Sequence, residues 1–204
     1  ITATRIPVLF PSESYRHTRD ILYFKALTQS ADTIHLFVNH WPSRRGGKKL
    51  SEPYRMHVAK ILKVKIDSIF IRNSCANIII TGDFNDEPND ESLTLGLSAT
   101  TSDAHISCNT LYNLSAILHE NCNCGTYRYR SHWNMLDQFI VSGKLLLSRK
   151  NLRTCSNCVH IGRLDFLLED DKKYGGKKPY RTYQGPIYKG GFSDHLPIYL
   201  DLFY

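Results

Sequence analysis

Short blocks of apolar residues alternate with polar ones along this chain, and each block reads as one structural element. Residues 20–27 (DILYFKAL) and 33–39 (TIHLFVN) are rich in aliphatic and aromatic side chains, which predicts two strands joined by a polar turn at Thr28–Asp32. His40–Lys49 is a basic, glycine-containing loop. A helix is predicted next, with Ser51 as N-cap and Pro53 in its first turn. Val58, Leu62, Lys65, Ile66 and Ile69 then recur at helical spacing, the stem of Lys65 lying on the apolar side. Ile78–Thr81 is a run of β-branched residues and reads as a core strand.

The pattern continues to the C-terminus. Residues 87–97 (EPNDESLTLGL) predict a turn and short helix, and 111–118 (LYNLSAIL) a second short helix. Gly125–Arg130 alternates like a strand, Leu136–Ser142 is a strand ending at Gly143, and Leu164–Leu168 is a weaker strand signal. Asp170–Tyr188 is rich in Lys, Gly and Tyr and reads as an exposed loop, and Ile198–Phe203 closes the chain as a strand. With no repeats and no linker, residues 1–204 form a single domain, and strands interleaved with helices give the α/β class.

The end of the core strand carries the first chemical signal. Ile78–Thr81 turns at Gly82 into Asp83-Phe84-Asn85-Asp86. Asp83 and Asn85 are two apart, so on extended chain they face the same side. A carboxylate and an amide on an apolar base suit metal-assisted hydrolysis better than stability. Three more polar clusters sit at predicted strand ends: Asn39-His40-Trp41-Pro42-Ser43-Arg44, Asn134-Met135-Leu136-Asp137-Gln138, and Ser193-Asp194-His195-Leu196-Pro197. Each has a structural alternative. Asp83 also reads as a strand-end cap, Asp137 as a buried acceptor, His40 as a loop histidine, and Trp133 equally as cleft wall or core.

Composition narrows the partners only slightly. The chain has 204 residues, 42% hydrophobic and 22% charged, enough for one domain with a real core. A net charge of +7 favours an anionic partner such as nucleic acid, a phosphate ester or a membrane headgroup. No run is long and apolar enough to span a bilayer as a helix. ITATRIPVLF has neither a signal-peptide pattern nor an initiator Met, so the chain is expected to be processed, trimmed or a fragment. Its localisation, cytoplasmic or exported with a removed leader, stays open, as does its oligomeric state. The six cysteines permit disulfides. Cys122-x-Cys124 and Cys155-x-x-Cys158 also permit a zinc site, though the first pair lacks the usual spacer and the pairs lie far apart.

The order His, Asp/Asn, Asp, Asp-His resembles the endonuclease/exonuclease/phosphatase family. GDFN (residues 82–85) and SDHLP (193–197) resemble its two most recognisable motifs. NHWPSR (39–44) is similar to a His-containing loop of its deoxyribonuclease and sphingomyelinase branches, and NMLDQFIVS (134–142) to the strand bearing its buried Asp. The resemblance runs from about Thr18 to the C-terminus. It implies a four-layer α/β sandwich of two packed mixed sheets, and a Mg²⁺- or Mn²⁺-dependent phosphoesterase cleaving a phosphodiester. In that scheme His195 is the general base, oriented by Asp137. Asp83 and Asn85 position water and phosphoryl group, or Asp83 helps protonate the leaving group. His40 binds a phosphoryl oxygen or acts as a second acid. Asp194 is a metal ligand together with Asp83 and Asn85, oxygen donors suited to a hard cation. Ser43 and Arg44 would bind substrate phosphate. Arg45, Lys48, Lys49 and the lysines at 172, 173, 177 and 178 are solvated runs or phosphate contacts.

The family also uses an Asn at the end of its first strand and a Glu as principal metal ligand. Glu13 is the only Glu in the first fifty residues; it sits in a connecting loop and is not assigned that role. The expectation is therefore a C-terminal portion of a longer protein, lacking roughly the first hundred residues, with one sheet incomplete. Two rivals remain: a catalytically silent anion-binding module of the same fold, and a zinc-stabilised nucleic-acid-binding domain built on the cysteine pairs. Nucleic acid, lipid and inositol phosphate substrates are not distinguished.

Overall fold

The structure is a computed structural model that describes residues 1–10, 17–122 and 124–204, apart from the side chains of 121 and 122. Glu13 lies outside the described residues. The first five elements are β1 (Thr2–Ile6), β2 (Ile21–Leu27), β3 (Thr33–His40), α1 (Lys48–Arg72) and β4 (Asn77–Asp83). They are followed by β5 (Ala99–Thr100), β6 (Leu111–Asn113), α2 (Ser115–Cys122), β7 (Tyr127–Tyr129), β8 (His132–Asn134), β9 (Asp137–Ser142) and α3 (Gly143–Leu147). The C-terminal part holds β10 (Val159–Ile161), β11 (Leu168–Asp170), β12 (Lys177–Pro179), β13 (Tyr183–Gln184), β14 (Ile187–Tyr188) and β15 (Ile198–Leu200).

Seven strands form one mixed sheet in the order β1-β2-β3-β4-β9-β6-β5. The pairs β3–β4 and β5–β6 are parallel and the other neighbours antiparallel. β4 lies at the centre and is buried on both faces. Ile78 and Ile80 enter one apolar cluster and Ile79 the other, which is why its apolar run does not alternate. The first cluster is completed by Val58, Ala59, Leu62, Ile66 and Ile69 of α1, each large side chain contributing roughly 1.5–3 kcal/mol of burial. On the opposite face Val159 and Leu200 of the antiparallel β10–β15 ladder pack with Val141 and Leu145. The predicted α/β class is what the chain forms. Where the resemblance implies two sheets, the described residues form this seven-stranded sheet and, on its opposite face, the two-stranded β10–β15 ladder.

Several local expectations change. The N-terminal decapeptide supplies an exposed edge strand, Thr2–Ile6 pairing with Ile21–Lys25. Helix α1 starts one turn earlier than predicted, at Lys48 after Gly47, whose φ of 116° lets the chain enter the helix. Ser51 is therefore inside the helix, its hydroxyl donating to Gly47 O (2.7 Å) rather than capping. Leu111–Asn113 is strand, not helix: β9 claims it as a partner, and Asn113 Oδ1 then accepts from Ser115 N as α2 begins. Residues 92–96 make one turn of π-helix, with Ser92 Oγ donating to Asp86 (2.6 Å). Leu164–Leu168, read as a weak strand, holds a short 3-10 turn at Asp165–Leu167. Residues 170–188, read as loop, contain β12, paired with β11, and the β13–β14 ladder, and Cys155 and Cys158 form a disulfide. Cys124 is also disulfide-bonded, so these sulfurs do not form the zinc site kept as an alternative. Among the described residues no helix is long and apolar enough to cross a membrane.

Candidate active site

Strand register brings the candidate residues together. In the parallel β3–β4 pair His40 stands opposite Asp83, and in the antiparallel β4–β9 pair Asp83 stands opposite Asp137. Three adjacent strand ends thus carry His, Asp and Asp side by side. Gly82 makes this approach possible. Its φ is 131°, and a Cβ there would lie 1.9 Å from Asn39 O. Beneath it Trp41 is fully buried, its indole N–H donating to Asn39 Oδ1 (3.1 Å).

His195 arrives from the C-terminal segment. It bridges to Tyr127, and Leu196 N donates to Thr126 O (2.8 Å). The Thr126 hydroxyl accepts from Asp137 N (3.1 Å), so one buried threonine ties both partners. His195 Nδ1 lies 2.6 Å from Asp137 Oδ2. An ionised carboxylate only accepts, so Nδ1 carries the proton and Nε2 is the basic nitrogen. Burial pulls the imidazole's pKa down, but the hydrogen bond and charge of Asp137, with Asp83 and Asp194, outweigh it and hold it above the ordinary value.

Asp83 has the opposite bias. Burial and the facing Asp137 carboxylate raise its pKa, against His195, the Asn85 N–H and His40. His40 Nε2 is 3.4 Å from Asp83 Oδ2. Burial lowers the His40 pKa, opposed by Asp83, so the two shifts both work against an ion pair. Asn85 adopts a left-handed backbone (φ 53°), which Asn tolerates. Its N–H donates to Asp83 Oδ1 (2.8 Å), and its Nδ2 donates to Trp41 O (3.0 Å) and Asp83 Oδ2 (3.1 Å). The pair first noticed as Asp83 and Asn85 is one hydrogen-bonded unit.

These groups line a cleft of about 1030 Å³. Ser43, Arg44 and Asp194 line it as well. Arg44 is already engaged: Nε donates to Asn85 O (2.7 Å), Nη1 donates to Asn134 Oδ1 (3.1 Å), and Nη2 lies 3.6 Å from Asp90. It clamps the loop after β4 against β8. Lys48 pairs with Asp90 at 2.7 Å. Below them Arg55 and Asp86, both fully buried, approach at 2.7 Å. Trp133 is a partly buried ring flanked by Arg163 and Arg128. Tyr127, Tyr129 and Asn39 belong to the cleft wall, and only Asn39 lay in a cluster noted from sequence. Tyr127 stands 4.9 Å from the His195 ring, and its signal was the alternation of GTYRYR, which located a strand but not its role.

The donor set fits a divalent cation in part. One atom each of Asp83, Asp137 and His195 lies within 4.8 Å of the others, the only such His/Cys/Asp/Glu group among the described residues. Burial and the facing Asp137 carboxylate raise the cost of ionising Asp83, and a hard cation would relieve it. Asp194 is exposed on the cleft rim and outside that group.

A mixed α/β sheet that gathers a His–Asp pair and a second Asp at the ends of neighbouring strands defines the class of this protein. The chain matches the Endonuclease/Exonuclease/phosphatase family over residues 2–203 and belongs to it. Members of this family are divalent-metal-dependent hydrolases of phosphate esters. No curated protein matches the chain. Among solved structures, humanized D. rerio TDP2 is similar with a TM-score of 0.56 and 17% identity, covering 100% of this chain and 67% of its own. The Bacteroides thetaiotaomicron mannosyl-6-phosphatase Bt3783 gives 0.52 and 18%, covering 100% and 65%. The human Nocturnin catalytic domain gives 0.51 and 17%, covering 76% and 49%. These likenesses establish the fold. The chain spans about half to two thirds of the length of these structures.

Proposed function

We propose that this chain carries the catalytic half-site of a Mg²⁺- or Mn²⁺-dependent phosphodiesterase. The observation that carries the reading is the 2.6 Å contact of His195 Nδ1 with Asp137, made in a cleft that also holds Asp83, Asn85 and His40. His195 Nε2 takes a proton from the attacking water, and Asp137 fixes the tautomer and stabilises the imidazolium. Asp83, locked by Asn85, orients water and phosphoryl group. His40 donates to a phosphoryl oxygen or to the leaving oxygen. Asp83, Asn85 and Asp194 would hold the cation, which when bound neutralises phosphoryl charge. Ser43 is a hydroxyl within reach of a phosphate, whereas Arg44 acts chiefly as the clamp already described.

A second reading, a silent module that binds anions on the same fold, is favoured by one feature. Asp137 is committed to His195, and Asp194 stands outside the acidic group, so the ligand set is thin. Hydrolysis of bis-p-nitrophenyl phosphate with Mg²⁺ separates the two, measured on this chain and on a form extended upstream of Ile1. The catalytic reading expects turnover that His195→Ala removes. Turnover absent from both forms favours the silent module, and turnover unchanged by His195→Ala sinks the assignment of His195 as the base.

A further inference from the structure

Strand β7 is a wall with a cavity on each side. Tyr127 and Tyr129 line the candidate active site and also a second cavity of about 470 Å³. That cavity is bounded by β11, β12 and the β13–β14 hairpin, and its lining includes six cationic side chains but two carboxylates. Both carboxylates are matched. Asp171 lies 3.9 Å from Arg128, which also donates to Lys177 O (2.6 Å) and Gly175 O (2.7 Å). Glu169 lies 3.7 Å from Lys178. Arg130, Lys173, Arg181 and Lys189 are left with no carboxylate at ion-pair distance among the described residues. An excess of four positive charges in one recess is repulsive in the free protein and calls for an anionic ligand.

The cations are interleaved with rings. Arg181 lies over Tyr127 (5.5 Å to the centroid), Arg130 over Tyr129 (5.3 Å) and Lys173 over Tyr174 (5.2 Å). A ligand with negative charge alone would use the cations and leave the aromatic surface idle. A single nucleic-acid strand uses both, phosphates against the cations and bases against tyrosine faces. The volume suits a nucleotide-sized group, and a recess of this size admits one strand, not a duplex. Tyr127 and Tyr129 are about 7 Å apart along β7, so a ligand must extend beyond its scissile phosphate to fill the recess.

We propose that the cavity bounded by β7, β11–β12 and β13–β14 binds the nucleotide adjoining the scissile phosphate of a single-stranded nucleic acid. The proposal rests on the phosphoesterase reading for its place in the reaction, while binding itself is measured without turnover. Anisotropy of a fluorescent single-stranded oligothymidylate is titrated with the chain, beside inorganic polyphosphate of matching charge as competitor. Lys173→Ala/Lys189→Ala, both exposed positions, should weaken oligonucleotide binding about tenfold and flatten the salt dependence of log K by about 1.4, or 0.7 per cation lost. Tyr129→Leu should weaken the oligonucleotide about fivefold or more and leave polyphosphate unaffected. Equal affinity for the two ligands, an unchanged double variant, or a silent Tyr129→Leu overturns the assignment. Hydrolysis of bis-p-nitrophenyl phosphate is read on the same preparations. Its absence defeats the phosphoesterase reading alone, and hydrolysis without selective oligonucleotide binding defeats the subsite alone.

Discussion

The ends of β3, β4 and β9 and the segment from Leu164 to Phe192 border adjoining cavities, and they are built on opposite principles. At the strand ends His40, Asp83 and Asp137 are paired in register, with β4 and β9 largely buried behind them, and the polar groups bond to one another. Asp137 holds His195, Asn85 holds Asp83, and Arg44 ties the following loop to β8. The C-terminal segment has two- and three-residue ladders, and its large apolar side chains, Phe166, Ile187, Tyr188 and Phe192, are exposed. Chemistry that needs sub-ångström placement sits where burial over-determines the backbone. Recognition that tolerates variation sits where little apolar surface holds the chain. The comparison can be broken at either end.

The largest effect is expected at Gly82. A side chain there meets the Asn39 carbonyl at 1.9 Å and also disfavours the φ of 131°. Gly82→Ala should cost more than about 4 kcal/mol and leave little folded protein. A thermal midpoint within a few degrees of the unsubstituted chain would show that the β3–β4 register is softer than its geometry implies.

Asp86 comes next. Its carboxylate lies 2.7 Å from the Arg55 guanidinium, and neither side chain meets water. Burial pushes the Asp86 pKa up more than Arg55 and Ser92 pull it down, so the pair is not stabilising for its charge alone. Removing one member is what hurts. Asp86→Ala should cost about 3–5 kcal/mol in urea unfolding, and Arg55→Met/Asp86→Leu should recover most of that loss. Equal losses in both variants would shift the credit from charge to packing.

His195→Ala should change activity and spare the fold. Loss of the base is expected to slow phosphodiester hydrolysis by about 10²-fold or more, on the order of 2.7 kcal/mol in barrier. The unfolding midpoint should move little, because the ring is only part-buried and its loss leaves Asp137 near solvent. Chelation should remove turnover, and Mg²⁺ or Mn²⁺ should restore it. A variant that unfolds as readily as it loses activity would place His195 among the residues that hold the sheet end together.

Legibility from sequence follows the same divide. The strands bearing Asp83 and Asp137 could be read because Ile78–Ile80 and Phe139–Val141 are unbroken apolar runs beside polar clusters. The polar clusters at 39–44 and 193–197 were visible too, but not that Tyr127 pairs with His195, since a single bridge between residues 68 apart has no local periodicity. Leu111–Asn113 carries helical spacing and is nevertheless strand, because pairing with β9 overrides a three-residue propensity. The ladders between residues 168 and 188 were invisible for a different reason. Leu168–Asp170, Lys177–Pro179, Tyr183–Gln184 and Ile187–Tyr188 are only two or three residues long and bury only Pro179, so no alternation marks them, and the second cavity they enclose could not be anticipated.

The smallest effect tests the loosely held side. Ile187 is 63% exposed at the start of β14, beside a turn in which Gly185 has φ of 59°. Its strand is two residues long and pairs only with Tyr183–Gln184, so its side chain removes little surface from water. Ile187→Ser should therefore shift unfolding stability by less than about 0.5 kcal/mol, measured by urea titration at unchanged slope. A loss above about 1 kcal/mol would mean that the hairpin is packed against something in solution, and that the recess beside β7 is held as firmly as the strand ends. The contrast between a rigid chemical site and an adaptable recognition wall would then fail, because both would be fixed by burial.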